Sequence, residues 1–592
     1  MPKAQKEVAF CGVLGELFNK LGMDLMLRNK LIIFTAIISM FLSLSIQAQR
    51  PKVYSREKPI KIDFDMENIK QPKSIGTGYL YDFIDGTIFQ STRRNLDVAH
   101  KFRKVSGKKK ESINVNILDQ VPDSSWFTNR ISTQDFSIEE IKRGSNVNPK
   151  PKSGKLIVLR GKTVGATPGF WVRDENGQTF ILKFDPKDFP ELASGAEMIA
   201  TKMFWAFGFN VPENHIFHFR REDLEISEEA QVTGEKNKKR GMTEADLDLI
   251  LSKIARQSDG QYRSLASRLI DGSPLGGITF SGRRKDDPND IIPHEIRRDV
   301  RALKVFGAWT EHNDLRVGNT FDVFVEEDGR KFVRHYLIDF GSTFGSDSVQ
   351  VNLPEVGREH GLDFNQAGKI LLSGGLYQPP WRSKKHDPVF SPAVGRYSTK
   401  NFSPNKWKQN FPLVALGQMT DLDGFWAMQK VAAFTPEQIR AIVETAEYSK
   451  ESDTEYLTRQ ILARQRIIVQ HYANELMGIG KFNLKREGDS SYLNFKDYRK
   501  QFSLDEIVNS QYEYKLQGLD KNAKTLAEGV FNDANLEINS DLVEQISAVG
   551  NAEKNRGIAK LILNRKGEGG KKATVYLWSK DGISLEIVGI VH

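Results

Sequence analysis

The stretch from Thr310 to Gly345, TEHNDLRVGNTFDVFVEEDGRKFVRHYLIDFGSTFG, constrains this chain more than any other. It sets out His312-x-Asp314-x-x-x-x-Asn319 and then, twenty residues on, Asp339-Phe340-Gly341. In that order stand a carboxylate able to take a proton, then an amide and a second carboxylate able to ligate a hard divalent cation. To act together, Asp314 and Asp339 must converge on one cleft that faces a cation. Lys183 is the candidate for that cation.

The pattern upstream supplies a frame for Lys183. KLIVLR (155–160) reads as a strand, and a connection with glycines at 161, 165 and 169 follows. FWVRD is the next strand, Asn176-Gly177 a hairpin turn of the kind that needs positive φ, and QTFILKF the strand that carries Lys183. The segment ELASGAEMIATKMFWAFGF predicts a helix with Leu192, Ala196, Ile199, Met203, Phe204 and Phe207 on one stripe and Glu197 along it. NVPENHIFHF and YRSLASRLI predict further strands. Between them, 221–258 reads as a charged insertion with one helix starting at Thr243.

A Gly- and Asp-rich loop, GSPLGGITFSGRRKDDPND, precedes a helix with Ile296, Val300, Leu303 and Phe306 at helical spacing, which runs into the His312 motif. Beyond Gly345 the chain is loop-rich until two helices. One is capped by Thr435 with Pro436 in its first turn and Gln438 closing the box; the other runs from about Thr454 to Met477. IAKLILNR, ATVYLWS and SLEIVGIV close the chain as strands, the last two joined at Asp581-Gly582. Near the start of the ordered pattern, Ser137-x-x-Glu140 marks a short capped helix, and Trp126-Phe127 are read as a plug onto a neighbouring domain.

These residues resemble those of the protein-kinase-like superfamily. HNDLRVGN is similar to its H-R-D-x-x-x-x-N catalytic loop, and LIDFG to its metal-binding D-F-G with the preceding apolar strand. Lys183 in FILKF resembles the third-strand lysine, and Glu197 in SGAEMIATK its helix partner. The resemblance covers roughly residues 151–480. The glycine connection departs from G-x-G-x-x-G, Asn313 stands in place of the usual arginine, and no A-P-E follows Gly341. These traits look more like an atypical, HipA-like or secreted-kinase-like bacterial member than an ordinary Ser/Thr kinase.

The resemblance implies an α+β fold: a bilobal protein-kinase-like core, with a β-rich N-lobe (151–272, including the 221–258 insertion) and a helical C-lobe (273–480). Before it lie an upstream extension with a signal peptide (1–48) and an irregular segment (49–150); after it, a small C-terminal β-rich domain (481–592). It implies ATP and Mg2+ or Mn2+ as cofactors. Gly161, Gly165 and Gly169 would let backbone amides cover the phosphates. Lys183, paired with Glu197, would hold the α/β-phosphates, Asn319 and Asp339 the metal, and Asp314 would receive the proton of the attacking hydroxyl. The acceptor, whether protein, glycan or small molecule, carries no motif; 221–258 and the loop from Gly345 to Trp407 are where its recognition is expected. Two alternatives stand beside this reading: a pseudokinase that binds without turnover, and nucleotidyl transfer on the same fold.

Read singly, the same residues have plainer explanations. Lys183 alone is a solvated strand-end lysine, Glu197 a helix-surface charge, and the three glycines an ordinary loop. Gly161-Lys162-Thr163 is not a phosphate-binding P-loop, because Leu156 stands where its first glycine is required. His312 is read as a packed structural histidine and His335 as core. His215 and His218 lie on opposite faces of a strand and make no metal site.

Composition adds exclusions. A net charge of +9 over 592 residues is a weak basic bias, and the basic runs lie far apart, which argues against a nucleic-acid partner. Residues 26–48, MLRNKLIIFTAIISMFLSLSIQA, have a basic start, an apolar stretch and small Ala48 where a peptidase cuts. The expectation is a secreted or periplasmic protein, membrane-anchored only if this segment stays uncleaved, with translation starting at Met23 or Met26. The single cysteine, Cys11, precedes that segment. The mature chain is thus expected to hold no disulfide, no Cys-ligated zinc and no cysteine nucleophile.

Overall fold

Alternating apolar residues set the first sheet. In Leu156–Lys162 (β1), Gly169–Arg173 (β2) and Thr179–Lys183 (β3), the side chains of Leu156, Val158, Phe170, Val172, Phe180 and Leu182 are at most 1% exposed, while their neighbours point away. The computed structural model describes residues 64–75, 110–162, 168–233, 239–379, 381, 388–504, 511–520, 523–550 and 557–592. The signal-like segment 26–48, Cys11, both candidate start methionines and Gly165 lie outside them. Among the described residues no helix is long and apolar enough to cross a membrane.

The fold is mixed α+β, with one large sheet and several helices. Asn214–Phe219 (β4), Leu224–Thr233 (β5), Lys239–Gly241 (β6) and Tyr262–Arg268 (β7) join β1–β3 in the order β4-β7-β3-β2-β1-β5-β6. The turn between β2 and β3 has Gly177 at φ +79°, as the Asn176-Gly177 pair predicts. Residues 221–258, expected as an insertion, supply strands to this sheet. β5 pairs in parallel with β1, and Leu224, Ala230 and Val232 sit in its core beside Leu247, Ile250 and Leu251 of Glu244–Leu251 (α2). Charge density hides the alternation here, because the outward positions are almost all Glu or Gln.

The capping box at Ser137 opens the short helix Ile138–Arg143 (α1, preceding β1). Leu192–Phe207 (α3) follows β3 and Arg298–Thr310 (α4) precedes the His312 motif. With Asp421–Val431 (α5), Pro436–Glu444 (α6) and Glu451–Glu475 (α7), they bury the largest apolar cluster. Phe207 stacks on Phe306 at 4.0 Å, so α3 and α4 touch through aromatic faces.

The irregular segment 110–131 is bound to this cluster. Phe127 is fully buried against Phe209 and Trp426, and Trp126 stacks on His335 at 3.8 Å under the guanidinium of Arg297. The plug expected for Trp126-Phe127 is therefore present. A buried ionic set fixes the same segment to α4 and α5: Asp423 meets Arg298 at 3.2 Å and Arg301 at 3.1 Å, and accepts from Ser112 Oγ at 2.8 Å.

Ser273–Gly276 (β8), Thr320–Glu327 (β9) and Arg330–Leu337 (β10) form a second sheet around the motif region. After α7, residues 479–591 form a three-stranded and a five-stranded sheet over one shared core. The three final strands predicted by alternation are Ile558–Arg565, Lys572–Trp578 and Glu586–Val591. The last of them bonds through Ile590 N to the carbonyl of Ile117 at 2.9 Å, which docks the C-terminal sheets on segment 110–131.

Candidate active site

The stretch between Asn319 and Asp339, residues 320–338, is a β-hairpin. β9 starts at Thr320, directly after Asn319, and β10 ends at Leu337, two residues before Asp339. The turn between them is Asp328-Gly329, with φ of +49° and +74°, the double positive-φ turn that matches the twist of paired strands. Register then places Thr320 opposite Leu337, and Ile338 N donates to the carbonyl of Asn319 at 3.0 Å. Local pairing thus brings the backbone of Asn319 beside the residue that precedes Asp339.

Lys183 arrives from the large sheet. It ends β3, with Gly169 and Leu265 as its cross-strand partners. Its ammonium lies 2.7 Å from Glu197 Oε1 and 3.1 Å from Asp339 Oδ1. Glu197 is 3% exposed, whereas the Asp339 side chain is half open to solvent. Burial alone would lower the lysine's pKa; the Asp339 and Glu197 carboxylates outweigh it and hold the ammonium charged. Burial raises the pKa of Glu197, and the Lys183 charge opposes that rise.

Asp314 sits one turn of chain from Asn319. The Asn319 amide donates to both the carbonyl and Oδ2 of Asp314 at 2.8 Å, and Arg316 Nε lies 3.0 Å from Oδ1. Burial raises the Asp314 pKa, the Arg316 charge and the Asn319 bond pull it back, and the Asp339 charge adds to the rise. The net direction is upward, so this carboxylate is more basic than a solvated aspartate.

The backbone around these groups is bent. Glu311, Asp339 and Phe344 all have positive φ, at +56°, +61° and +48°. Left-handed residues other than glycine cost free energy and gather where function demands a particular turn. Phe340 turns inward from Asp339 onto Phe204 and His312, with ring centroids 4.9 and 5.3 Å away. His312 is 1% exposed, and burial pushes its pKa down to about 4, so it packs as a neutral ring, as read from the sequence. His335 is buried too and faces Asp322 at 2.6 Å.

Of the glycines, Gly161 lies in β1 and Gly169 opens β2, where it pairs with Lys183. A Cβ at Gly169 would fall 2.7 Å from the carbonyl oxygen of Leu182, and one at Gly161 would meet the Met242 side chain at 3.0 Å. A side chain at Gly169 therefore has no room against that carbonyl, whereas at Gly161 the flexible tip of Met242 and Ile250 of α2 would have to give by a few tenths of an ångström.

One nearby acid carries no motif. Asp347 lies in a tight reversal closed by the Ser346–Val351 bridge, and its pKa is pushed up to about 6 by burial and by the charge of Asp314. Only the folded loop reveals this proximity; a lone Asp in GSDSVQ carries no spacing signal.

Among the described residues no group of three His, Cys, Asp or Glu side chains converges as a ready-made metal cage. The half-exposed Asp339 carboxylate, with Asn319 next to it across the hairpin base, fits a hard cation that takes only one or two protein oxygens and completes its shell with water and phosphate. The lysine beside it fits a polyphosphate.

No family model matches the chain, and no curated protein matches it. A solved structure described as "Crystal structure of the golgi casein kinase" is similar at a TM-score of 0.27 and 9% sequence identity, over 72% of this chain and 94% of that one. A likeness this distant carries no inference.

Proposed function

We propose that this chain is an atypical kinase-like phosphotransferase that moves the γ-phosphoryl group of ATP to a hydroxyl acceptor. The observation that carries the reading is the meeting of Lys183, Glu197 and Asp339, from three separate elements, within hydrogen-bond distance. Lys183, positioned by Glu197, would hold the α/β-phosphates. Asp339 and Asn319 would hold Mg2+ or Mn2+, which when bound neutralises charge on the phosphate oxygens. Backbone at Gly161 and Gly169 would lie over the phosphates. Asp314 would take the proton of the acceptor hydroxyl; its raised pKa and its bond to Asn319 support that role. The signal-like segment 26–48 supports export, so the acceptor is proposed to lie outside the cytoplasm.

The test separates binding from chemistry. In a metal-dependent ATP titration, Asp339→Ala is expected to abolish binding, while Asp314→Ala keeps binding and loses phosphoryl transfer to acceptors in a secreted-protein extract. Equal loss of affinity in both variants would overturn the assigned roles. Wild-type binding without any transfer would favour a pseudokinase, and adenylylated products would favour nucleotidyl transfer.

A further inference from the structure

The helix Phe364–Leu372, nine residues long, buries none of its side chains. A helix this short gains most of its stability from the face it packs, so this one needs other support. Asp363 caps its first turn, accepting from Asn365 N at 3.1 Å and Gln366 N at 3.3 Å, and pairs with Lys408 at 2.5 Å. Gly374 and Gly375, at φ +62° and +86°, then reverse the chain. Gly375 N donates to the carbonyl of Ile370 at 2.8 Å, and the Tyr377 hydroxyl donates to Gln366 Oε1 at 3.2 Å. Residues 363–377 are thus a built hairpin, anchored at its base and closed along its length.

Its tip is apolar. Leu371, Leu372 and Leu376 are 81%, 91% and 89% exposed, more than any other large apolar side chain among the described residues. One such side chain on a surface is ordinary; three on one reversal mark a contact face. Charge is segregated around them. From Ile370 to Trp381 the sequence has no charged residue, and between Asp363 and Asp387 it holds four Lys or Arg and no Asp or Glu. Lys369 is exposed at the edge of the tip, its ammonium 5.5 Å from the Tyr377 ring centre. Lys400 and Lys406, also exposed, share a cavity wall with Gln366 of the helix.

An apolar tip inside a collar of one sign is complementary to an anionic bilayer surface. The leucines enter the acyl boundary, while the lysine ammonium groups stay level with the headgroups. A stable protein interface takes about 800 Å² on each side. Three leucines at the end of a narrow hairpin fall short of that, but they serve shallow insertion into lipid. We propose that the 363–377 hairpin seats this protein on a membrane surface bearing anionic lipids, with its leucines about 5–10 Å into the headgroup–acyl boundary. The seat needs neither nucleotide nor turnover, so it stands apart from the phosphotransfer reading.

The test puts an environment-sensitive fluorophore on the tip of the full chain, as Leu376→Cys with Cys11→Ser. Vesicles of phosphatidylcholine, alone or mixed with phosphatidylglycerol, are then titrated in. Emission is expected to shift to the blue with the mixed vesicles at about tenfold or more lower lipid concentration than with the neutral ones, and added salt is expected to remove that advantage. The label reports its own surroundings, so the readout is insertion of the tip and not attachment through residues 26–48. In the labelled chain, Leu371→Gln/Leu372→Gln is expected to raise the lipid needed about tenfold with an unchanged melting temperature, because both side chains are exposed. Lys369→Gln is expected to weaken the response to mixed vesicles alone. The proposal is overturned if no vesicle shifts the emission, if neutral and mixed vesicles act equally, or if the Gln pair responds as the parent does. It is overturned equally if emission shifts without lipid as protein concentration rises and the Gln pair abolishes that shift, since a second copy of the chain would then cover the tip.

Discussion

Gly195 on α3 lies directly against the ring of Tyr448: a Cβ at Gly195 would fall 2.7 Å from both Cε1 and the hydroxyl of that tyrosine. Two residues along the helix, Glu197 holds Lys183. The same helix end is held by Arg263, which donates to the carbonyls of Ala446 and Glu447 at 2.5 and 3.0 Å, and by Glu191, which accepts from Ser449 N at 3.0 Å. The segment 446–449 therefore sets the depth of α3, and α3 sets the position of Glu197. Gly195→Val is expected to push the helix from Tyr448, at an overpacking cost of about 1–3 kcal/mol. Metal-dependent ATP affinity should fall while Tyr448→Ala in the same chain recovers it. Unchanged affinity in Gly195→Val would show that the helix does not control the lysine.

The Lys183–Glu197 pair is expected to couple in stability as well as in binding. Glu197 is almost fully buried, so Lys183→Met leaves a carboxylate without its cation, and the unpaired group costs about 1–3 kcal/mol. Adding Glu197→Gln removes the stranded charge. The melting temperature should drop in Lys183→Met and recover in part in the double variant. Additive losses in the double-mutant cycle would mean that the two side chains act independently.

Much of this site was legible because its residues belong to short local patterns. The Asn176-Gly177 turn and the alternation in FILKF place Lys183 at a strand end, and helical spacing places Glu197 on α3. The approach of Asn319 to Asp339 is also encoded locally, in the Asp328-Gly329 turn flanked by alternating Phe321-Val323-Val325 and Phe332. The role of 221–258 was hidden for the opposite reason: Glu and Gln on the outward face of β5 mask the inward Leu224, Ala230 and Val232. Asp347 and the wedge of Tyr448 against Gly195 depend on contacts between distant segments, which no local period reports.

The acid limb of activity should report on Asp314. A proton acceptor works as its carboxylate, so turnover falls as pH drops through the Asp314 pKa. That pKa is raised by burial, which moves the fall above the ordinary aspartate value. Burial, and after it the charge of Asp314, push Asp347 up to about 6. Asp347 therefore takes its proton while Asp314 is still ionised, and is neutral where Asp314 titrates. Asp347→Asn should leave the acid limb of the kcat profile in place, whereas Arg316→Ala, which removes a charge that lowers the Asp314 pKa, should move it to higher pH. A limb that moves with Asp347→Asn, or stays with Arg316→Ala, would show that another group sets it.

Segment 110–131 is expected to depend on Asp423. That carboxylate is fully buried and accepts from Ser112 Oγ at 2.8 Å, Arg298 Nε at 3.2 Å, Arg301 Nη1 at 3.1 Å and Thr420 N at 2.9 Å. Arg298 and Arg301 are themselves buried on α4, the helix that leads into the His312 loop. Neutralising the acid leaves two guanidinium groups in a water-poor interior with one counter-charge, Asp119, at 2.6 Å from Arg298. Breaking such a set by removing one member costs about 3–5 kcal/mol, more than its intact presence contributes, because the remaining charges stay desolvated. Asp423→Asn should therefore lower the melting temperature steeply and expose 110–131 to limited proteolysis. Asn114→Ala tests the same clasp at lower cost. It removes the bond to Asp299 at 2.8 Å and the bond from Arg298 N at 2.7 Å but leaves the charges paired, so about 1–3 kcal/mol is expected. If Asn114→Ala destabilises as much as Asp423→Asn, packing of Trp126 and Phe127 rather than charge pairing holds the segment down.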